Sequence, residues 1–459
     1  MIDLAPERIA SEAGAEVVAE GSRERPERAV IDSREAGEGD LFFGLPGATA
    51  DGGSFARTAL EGGAWGAVVT PGYGEGLASE PVAGAWVFAA DDPLAALQRL
   101  ARAWRRELGC RVVGITGSTG KTSVKDITKA LLPQRVHASP ENFNTEIGLP
   151  LTVLAAPPET EVLVLEMAMR GMGQIAELCE IAEPDVAAIT NIGPVHLELL
   201  GTLEAIAEAK AEIIAGLRGE GTAVVPADAE ALAPHLHGRI DTLAFGPGGD
   251  VFAREAKVAA GHTAAVIETP AGEGRFDFLF TEAHNLVNAL CAVGIGVAMD
   301  VPVEEMARRA SGITFSRLRG ELIELAGGIV LVNDCYNANP ISMRAALEHL
   351  AGDLGGAAGG GRRIAVLGEM KELGPDAAGY HREIGSRARS LGVGPVVGVG
   401  ELGRDYAPDE WAPDAEAAAQ LVDGILEEGD AVLVKGSRSV GLERLTAELV
   451  ARRGAGATG

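Results

Sequence analysis

Residues 111–132 read RVVGITGSTGKTSVKDITKALL. A six-residue apolar run, RVVGIT, leads into a loop studded with Gly114, Gly117 and Gly120, and then into Lys121, Thr122 and a run of helical period. Glycines let backbone N–H groups turn inward around phosphate oxygens, and the first turn of a helix adds a favourable dipole. Lys121 supplies a point positive charge, and the Thr122 hydroxyl suits a magnesium ion. Ile115 stands where the first glycine of GxxxxGK[ST] would be, so the match is the shorter GxxGK[ST] that starts at Gly117. The residues expected to hold a triphosphate are Gly117, Ser118, Thr119, Gly120, Lys121, Thr122 and Ser123.

Outward from this stretch the same grammar recurs. Further buried-strand candidates are EVLVLEM (161–167), VAAITNI (186–192), GIVLVND (328–334), RIAVLGE (363–369), GPVVGVG (394–400) and DAVLVKG (430–436), with helical stretches such as TLEAIAEAKAEIIAGL between them. Short apolar strands alternating with helices predict an α/β protein with parallel sheets and crossover connections. At 459 residues the chain is long enough for roughly three domains. The expected boundaries are 1–106, 107–316 and 317–459, with hinges near 107 and 315–320. The helical stretch PLAALQRLARAWRREL closes the first block, GGAAGGGRR (355–363) reads as flexible, and the chain ends in a frayed GAGATG.

Lys and Arg total 39 against 66 Asp and Glu, a net charge of −27. A nucleic-acid backbone needs a positive field, so that class of partner is excluded and any nucleotide must be met by a local site. Cys110, Cys179, Cys291 and Cys335 are scattered, with no zinc or disulfide spacing, which fits a reducing cytoplasm. The N-terminal stretch is acidic where a signal peptide is basic, and no apolar run reaches membrane-spanning length, so a cytoplasmic protein without membrane insertion is expected.

Three more side chains carry chemistry on the residues' own evidence, each with a plain alternative. Glu166 ends an apolar strand, where a phosphate-loop protein presents a carboxylate to a metal-bound nucleotide; the alternative is a strand end in solvent. His196 follows the next strand in TNIGPVHLELLG, and a lone histidine is more often structural. Lys210 reads as a solvated helix lysine offset by Glu204, Glu208 and Glu212.

The set GITGSTGKTS, ENFNTEIGLPLTVL, LEMAMRG, TNIGPVHLE, AKAEI, HNLVNAL, NDCYNANPISM and KGSRSVGLERL, in this order, resembles the Mur ligases of peptidoglycan synthesis over nearly the whole chain. YNANP and NFNTEIG point within that family to the MurF type. The resemblance implies an N-terminal uridine-nucleotide-binding α/β domain, a central phosphate-loop ATPase-like domain and a C-terminal Rossmann-like domain. It implies ATP with two magnesium ions: Thr122 and Glu166 on one, His196 and a carbamylated Lys210 on the other. Asn285 and Asn288 are then expected near the adenine, Arg319 at the γ-phosphate, Asp334 at the ribose, and Tyr336 and Asn337 along the nucleotide.

For the remaining substrates the resemblance implies Asp32, Ser33 and Arg34 at the uridine end, although the triplet alone reads as a capping turn. It places Asn142, Asn144 and Thr145 along the sugar-peptide, and Lys435, Ser437 and Arg438 in the D-alanyl-D-alanine pocket. Gly53 departs from the family pattern, where a histidine commonly follows the Asp-Gly pair. The implied activity is ATP-dependent ligation of D-alanyl-D-alanine to UDP-N-acetylmuramoyl-tripeptide through an acyl phosphate, by a monomer. A MurE-type ligase or a folylpolyglutamate synthase is the alternative within the chemistry, and a regulatory phosphate-loop NTPase the alternative outside it. GVGELG (398–403) fits GxGxxG, but no ribose acid follows on the expected strand, so a strand-end turn is expected there.

Overall fold

Arg111–Thr116 is a strand, buried in all but its first residue, at the heart of an all-parallel sheet. The structure, a computed structural model, describes residues 4–22, 24–140, 142–236, 240–259, 261–316, 318–352 and 361–454. Most of the glycine-rich stretch, through residue 360, and the tail from residue 455 lie outside the described residues. The central sheet has six strands in the order 241–245, 222–226, 186–189, 111–116, 162–166, 136–138. From Arg111–Thr116 the chain adds strands 136–138 and 162–166 on one side and then crosses to 186–189, 222–226 and 241–245 on the other, and ligands of such sheets bind beyond the carboxyl ends of the strands at that switch.

Two further sheets flank it in sequence. The first has the order 16–19, 86–89, 66–69, 40–43, 28–30, parallel apart from its 16–19 edge. The last has the order 321–325, 329–334, 431–435, 363–368, 396–399, 410–412, again with one antiparallel edge. All seven apolar runs read from the sequence form parallel strands. Their complete or near-complete burial follows from helices covering both faces. GVGELG is a strand-end turn: Gly400 takes a left-handed φ of 88° and Leu402 N–H donates to Glu369.

A three-stranded antiparallel sheet, Phe252–Ala259, His262–Thr269 and Gly272–Phe278, departs from the parallel architecture expected from the sequence. Its middle strand alternates buried and exposed residues, as a sheet with one wet face must. Ala265, Ile267, Phe276 and Phe278 face inward and join the core formed by helix Ala283–Ala298 and the phosphate-loop helix.

Packing differs sharply at the two expected hinges. Helix Pro93–Leu108, with its N-cap Asp92 accepting from Leu94 and Ala95 N–H, buries Leu97, Leu100 and Trp104 in one continuous core. That core holds Leu41 and Phe88 of the first sheet together with Leu163 and Met167 of the second. Arg105, only 1% exposed, donates to the Ala182 and Glu183 carbonyls, and Arg102 and Arg106 pair with the Glu183 carboxylate. The junction at 107 is therefore clamped, in contrast to the hinge expected there. Among the described residues no buried hydrophobic cluster runs from the central unit into the last one.

Candidate functional site

Gly120 turns the chain with φ 80° and begins helix Lys121–Leu131. A Cβ at Gly120 would collide with Asn288, and one at Gly117, φ 150°, with Thr190. Both positions therefore need glycine. The next strand's exit holds the loop from behind: Thr119 N–H donates to Asn191 Oδ1 at 2.9 Å, Gly193 N–H donates to Ser118 Oγ at 2.9 Å, and Thr190 Oγ1 donates to the Thr119 carbonyl. Lys121 Nζ donates to the Gly117 carbonyl at 2.7 Å. Burial lowers its ammonium to about 8; Glu166 works against that shift and Arg319 with it.

The loop forms one wall of a cavity of about 1350 Å³ between the central and last sheets. Of the residues expected to bind nucleotide, Ser118 to Ser123, Asn285, Asn288, Arg319, Asp334, Tyr336 and Asn337 line it, as do Asn142, Asn144, Thr145, Lys435, Ser437 and Arg438. Gly117 lies behind the wall, reached through its carbonyl. Ser33 and Arg34 are elsewhere: Arg34 folds back onto Asp32, donating through Nε and Nη2, in an exposed turn of the first unit. Gly53 is buried beneath Tyr73, whose ring occupies the space a side chain would need.

Glu166 is 1% exposed, which sets aside the solvent-facing alternative. Its Oε1 has no hydrogen-bond partner among the described residues, though Lys125 Nζ lies 3.8 Å away, and its backbone N–H donates to Ser139 Oγ at 3.1 Å. An orphaned, buried carboxylate oxygen on the cavity wall beside Thr122 fits a magnesium ion, which takes few protein ligands and fills its shell with phosphate and water oxygens. No group of three or more His, Cys, Asp or Glu side chains is placed to hold a metal by itself among the described residues.

Lys210 departs from the solvated reading. It is 2% exposed, on helix Leu203–Ala215, and does not line the cavity. Helix Gln174–Ala182 takes Glu212 instead, whose carboxylate accepts from Gly173 and Ala176 N–H. Burial, and then repulsion from Lys121, push the Lys210 ammonium well below the ordinary lysine value. His196 lines the cavity at a left-handed φ of 56°, and its Nδ1 lies 2.6 Å from Glu372 Oε2 of the last unit, out of line for a good hydrogen bond. Glu372, itself at φ 62°, also stands 3.6 Å from Arg170.

On the far wall, Lys435 Nζ is spent within the protein: it donates to Asp334 Oδ2 at 2.6 Å and to the Asn337 carbonyl at 2.9 Å. Asn339 is turn chemistry, an N-cap sharing reciprocal bonds with Ser342. Arg319 stacks its guanidinium 4.1 Å from the centre of the Tyr336 ring. Sequence reasoning missed Arg170, Glu282, His284, His349, Lys371 and Glu372, all of which line the cavity. Arg170 and His284 lie beside other residues of the quoted stretches LEMAMRG and HNLVNAL, the other four in stretches without a motif, and the fold alone gathers them. The loop carrying Lys371 and Glu372 is set by neutral His381, which burial holds below the usual histidine value while its Nε2 accepts from Met370 N–H.

The comparisons with known proteins agree with this geometry. Residues 115–296 match the Mur ligase middle domain, and residues 318–438 match the Mur ligase, glutamate ligase domain. The UDP-N-acetylmuramoyl-tripeptide–D-alanyl-D-alanine ligase of Bacillus subtilis is 37% identical, with 91% of this chain and 92% of that protein covered. A crystal structure of MurF from Acinetobacter baumannii superposes with a TM-score of 0.87 at 26% identity, covering 98% of this chain and 99% of that one. MurF ligase from Thermotoga maritima in complex with ADP gives 0.78 at 31% identity, over 93% and 98% of the two chains. On full-length sequence similarity, shared fold and a phosphate loop opening onto a cavity between units, the chain belongs to the Mur ligase family.

Proposed function

We propose that the chain joins D-alanyl-D-alanine to UDP-N-acetylmuramoyl-tripeptide at the expense of ATP, as the names of its relatives suggest. The observation that carries this reading is a single cavity lined at once by the phosphate loop, by Asn142, Asn144 and Thr145, and by Ser437 and Arg438 of the last unit. Amide formation from a carboxylate in water is uphill, so the carboxylate needs a leaving group. The tripeptide carboxylate attacks the γ-phosphorus of ATP, ADP leaves, the dipeptide amine attacks the acyl carbon, and phosphate departs. No protein nucleophile is required.

The chain's own share is positioning and charge. Loop N–H groups and Lys121 hold the phosphates, and Arg319 meets the charge that spreads over the transferring phosphoryl group. When bound, magnesium would be held by Thr122 and Glu166 and would neutralise phosphate oxygens. Lys210, which pairs with no carboxylate among the described residues and whose ammonium burial disfavours, suits reaction with carbon dioxide to give a carbamate; the modification would give it an anionic head suited to a second ion with His196. The first unit, residues 1–106, takes the uridine end, residues 107–316 the ATP, and residues 317–459 the dipeptide. Substrates held between units are shielded from water, which protects an acyl phosphate from hydrolysis.

Phosphate release measured with each substrate omitted in turn tests the reading. Dependence on both the UDP-tripeptide and D-alanyl-D-alanine is expected. An ATPase rate indifferent to both would assign the chain to the regulatory NTPases, and turnover with a diamino acid on the dipeptide precursor to the MurE type.

A further inference from the structure

Behind the phosphate loop lies a buried charge cluster that the reaction as derived leaves unused. Lys125, 4% exposed, sits one helical turn after Lys121. Its Nζ donates to the Ser139 carbonyl at 3.0 Å and stands 3.2 Å from Asp126 Oδ1 and 3.8 Å from Glu166 Oε1. The other oxygen of Asp126 accepts from Ser316 N–H at 2.8 Å, across 190 residues of chain. Ser316 belongs to the segment between the central and last units, which is also pinned by Phe315 against Phe280. Three residues on, Arg319 enters the cavity and is braced from the other side by Tyr336.

An ion pair that only stabilised the helix would not need its second carboxylate oxygen aimed at a backbone donor in the interdomain segment. We infer that Asp126 is a positioning residue for Arg319: it ties the segment to the helix that begins at Lys121, so that the guanidinium and the phosphate loop keep a fixed separation. Lys125 orients Asp126 from 3.2 Å, and its reach toward Glu166 links the carboxylate, the loop helix and the segment leading to the arginine. This rests on the proposal that Arg319 meets the γ-phosphate. A displacement of about 1 Å in such a group is enough to lower turnover roughly a hundredfold.

The test is a set of variants, Asp126→Ala, Asp126→Asn, Arg319→Ala and the double variant Asp126→Ala/Arg319→Ala. Each is read for kcat and KM in substrate-dependent phosphate release, ADP affinity and thermal unfolding. Asp126→Ala should lower kcat about 10- to 100-fold, with ADP affinity unchanged, because ADP lacks the phosphate that Arg319 meets. Asp126→Asn, which keeps an acceptor for Ser316 N–H, should recover most of the rate, and the double variant should be no slower than Arg319→Ala alone. Equal loss in Asp126→Asn, additive losses in the double variant, or weakened ADP binding would overturn the positioning role in favour of a purely structural one. Should Asp126→Ala fail to fold, wild-type-like kcat in Ser316→Pro, which deletes the donor and leaves the cluster intact, would overturn it equally. A normal rate in Arg319→Ala would instead remove the γ-phosphate reading.

Discussion

Gly120 shows what the site asks of single residues: a left-handed φ of 80° and no room for a Cβ beside Asn288. Gly120→Ala should cost about 1–2 kcal/mol through backbone strain alone, and because that strain falls on the anion-binding turn, ADP affinity should drop at least tenfold in calorimetry, or about 1.4 kcal/mol. Lys121→Ala should lower substrate-dependent ADP formation by a factor on the order of 10²–10³, without lowering the melting temperature, since its hydrogen bond goes to the Gly117 carbonyl of its own loop and burial disfavours its charged form. These residues were legible because the motif is local: loop, charge and helix start occupy the seven consecutive positions 117–123. Lys210 was not, since burial of a lysine on an alanine- and glutamate-rich helix depends on what the fold lays over it, and Asp334 with Lys435 meet only because strands 329–334 and 431–435 are neighbours. The cysteines give a further check at this scale. All four are buried, and desolvation pushes the Cys179 and Cys335 thiols up to about 12. A thiol-reactive dye should label none in the native protein and four after unfolding in urea.

Among the elements, strands buried on both faces wrote themselves into the sequence as uninterrupted apolar runs, and all seven such runs were found. The antiparallel hairpins at 252–278 did not, because FAREAKVA carries an almost wholly exposed strand whose polar residues look like a surface loop. One buried carboxylate organises the last sheet. Asp430 accepts from Arg362 Nε and Nη2, from its N–H and from Glu427 N–H, joining the turns before strands 363–368 and 431–435. Burial alone would raise its pKa, but the Arg362 hydrogen bonds outweigh this and hold it below the usual carboxylate value. A carboxylate depressed in the folded state stabilises above its unfolded pKa, and that contribution fades as pH falls through the folded value. Asp430→Asn should therefore lower the melting temperature at pH 7, by loss of about 1–3 kcal/mol, and the gap to wild type should narrow as the pH falls below the usual aspartate value of about 4.

At the level of the whole molecule, a core continuous from Leu41 to Met167 makes the first and central units one body, whereas the last unit meets them through polar contacts such as His196 with Glu372 and His349 with Glu282. Fluorescent labels placed on the first and central units should keep their distance when ATP analogue and UDP-tripeptide are added, while labels on the central and last units should change theirs. A shift of the first pair would locate the hinge at 107 instead. Chain length and the alternation of apolar runs with helical stretches suggested roughly three units, but which junction is stiff was not legible, because stiffness arises from side chains such as Arg105 and Trp104 packing across sequence distances of 50 residues and more. The cavity between these bodies is the centre of the account, and oxygen transfer from the carboxylate to the γ-phosphorus is its defining step. With the terminal carboxylate of the UDP-tripeptide labelled with ¹⁸O, the released inorganic phosphate should carry one label per amide formed; amide formation with unlabelled phosphate would contradict the acyl-phosphate route.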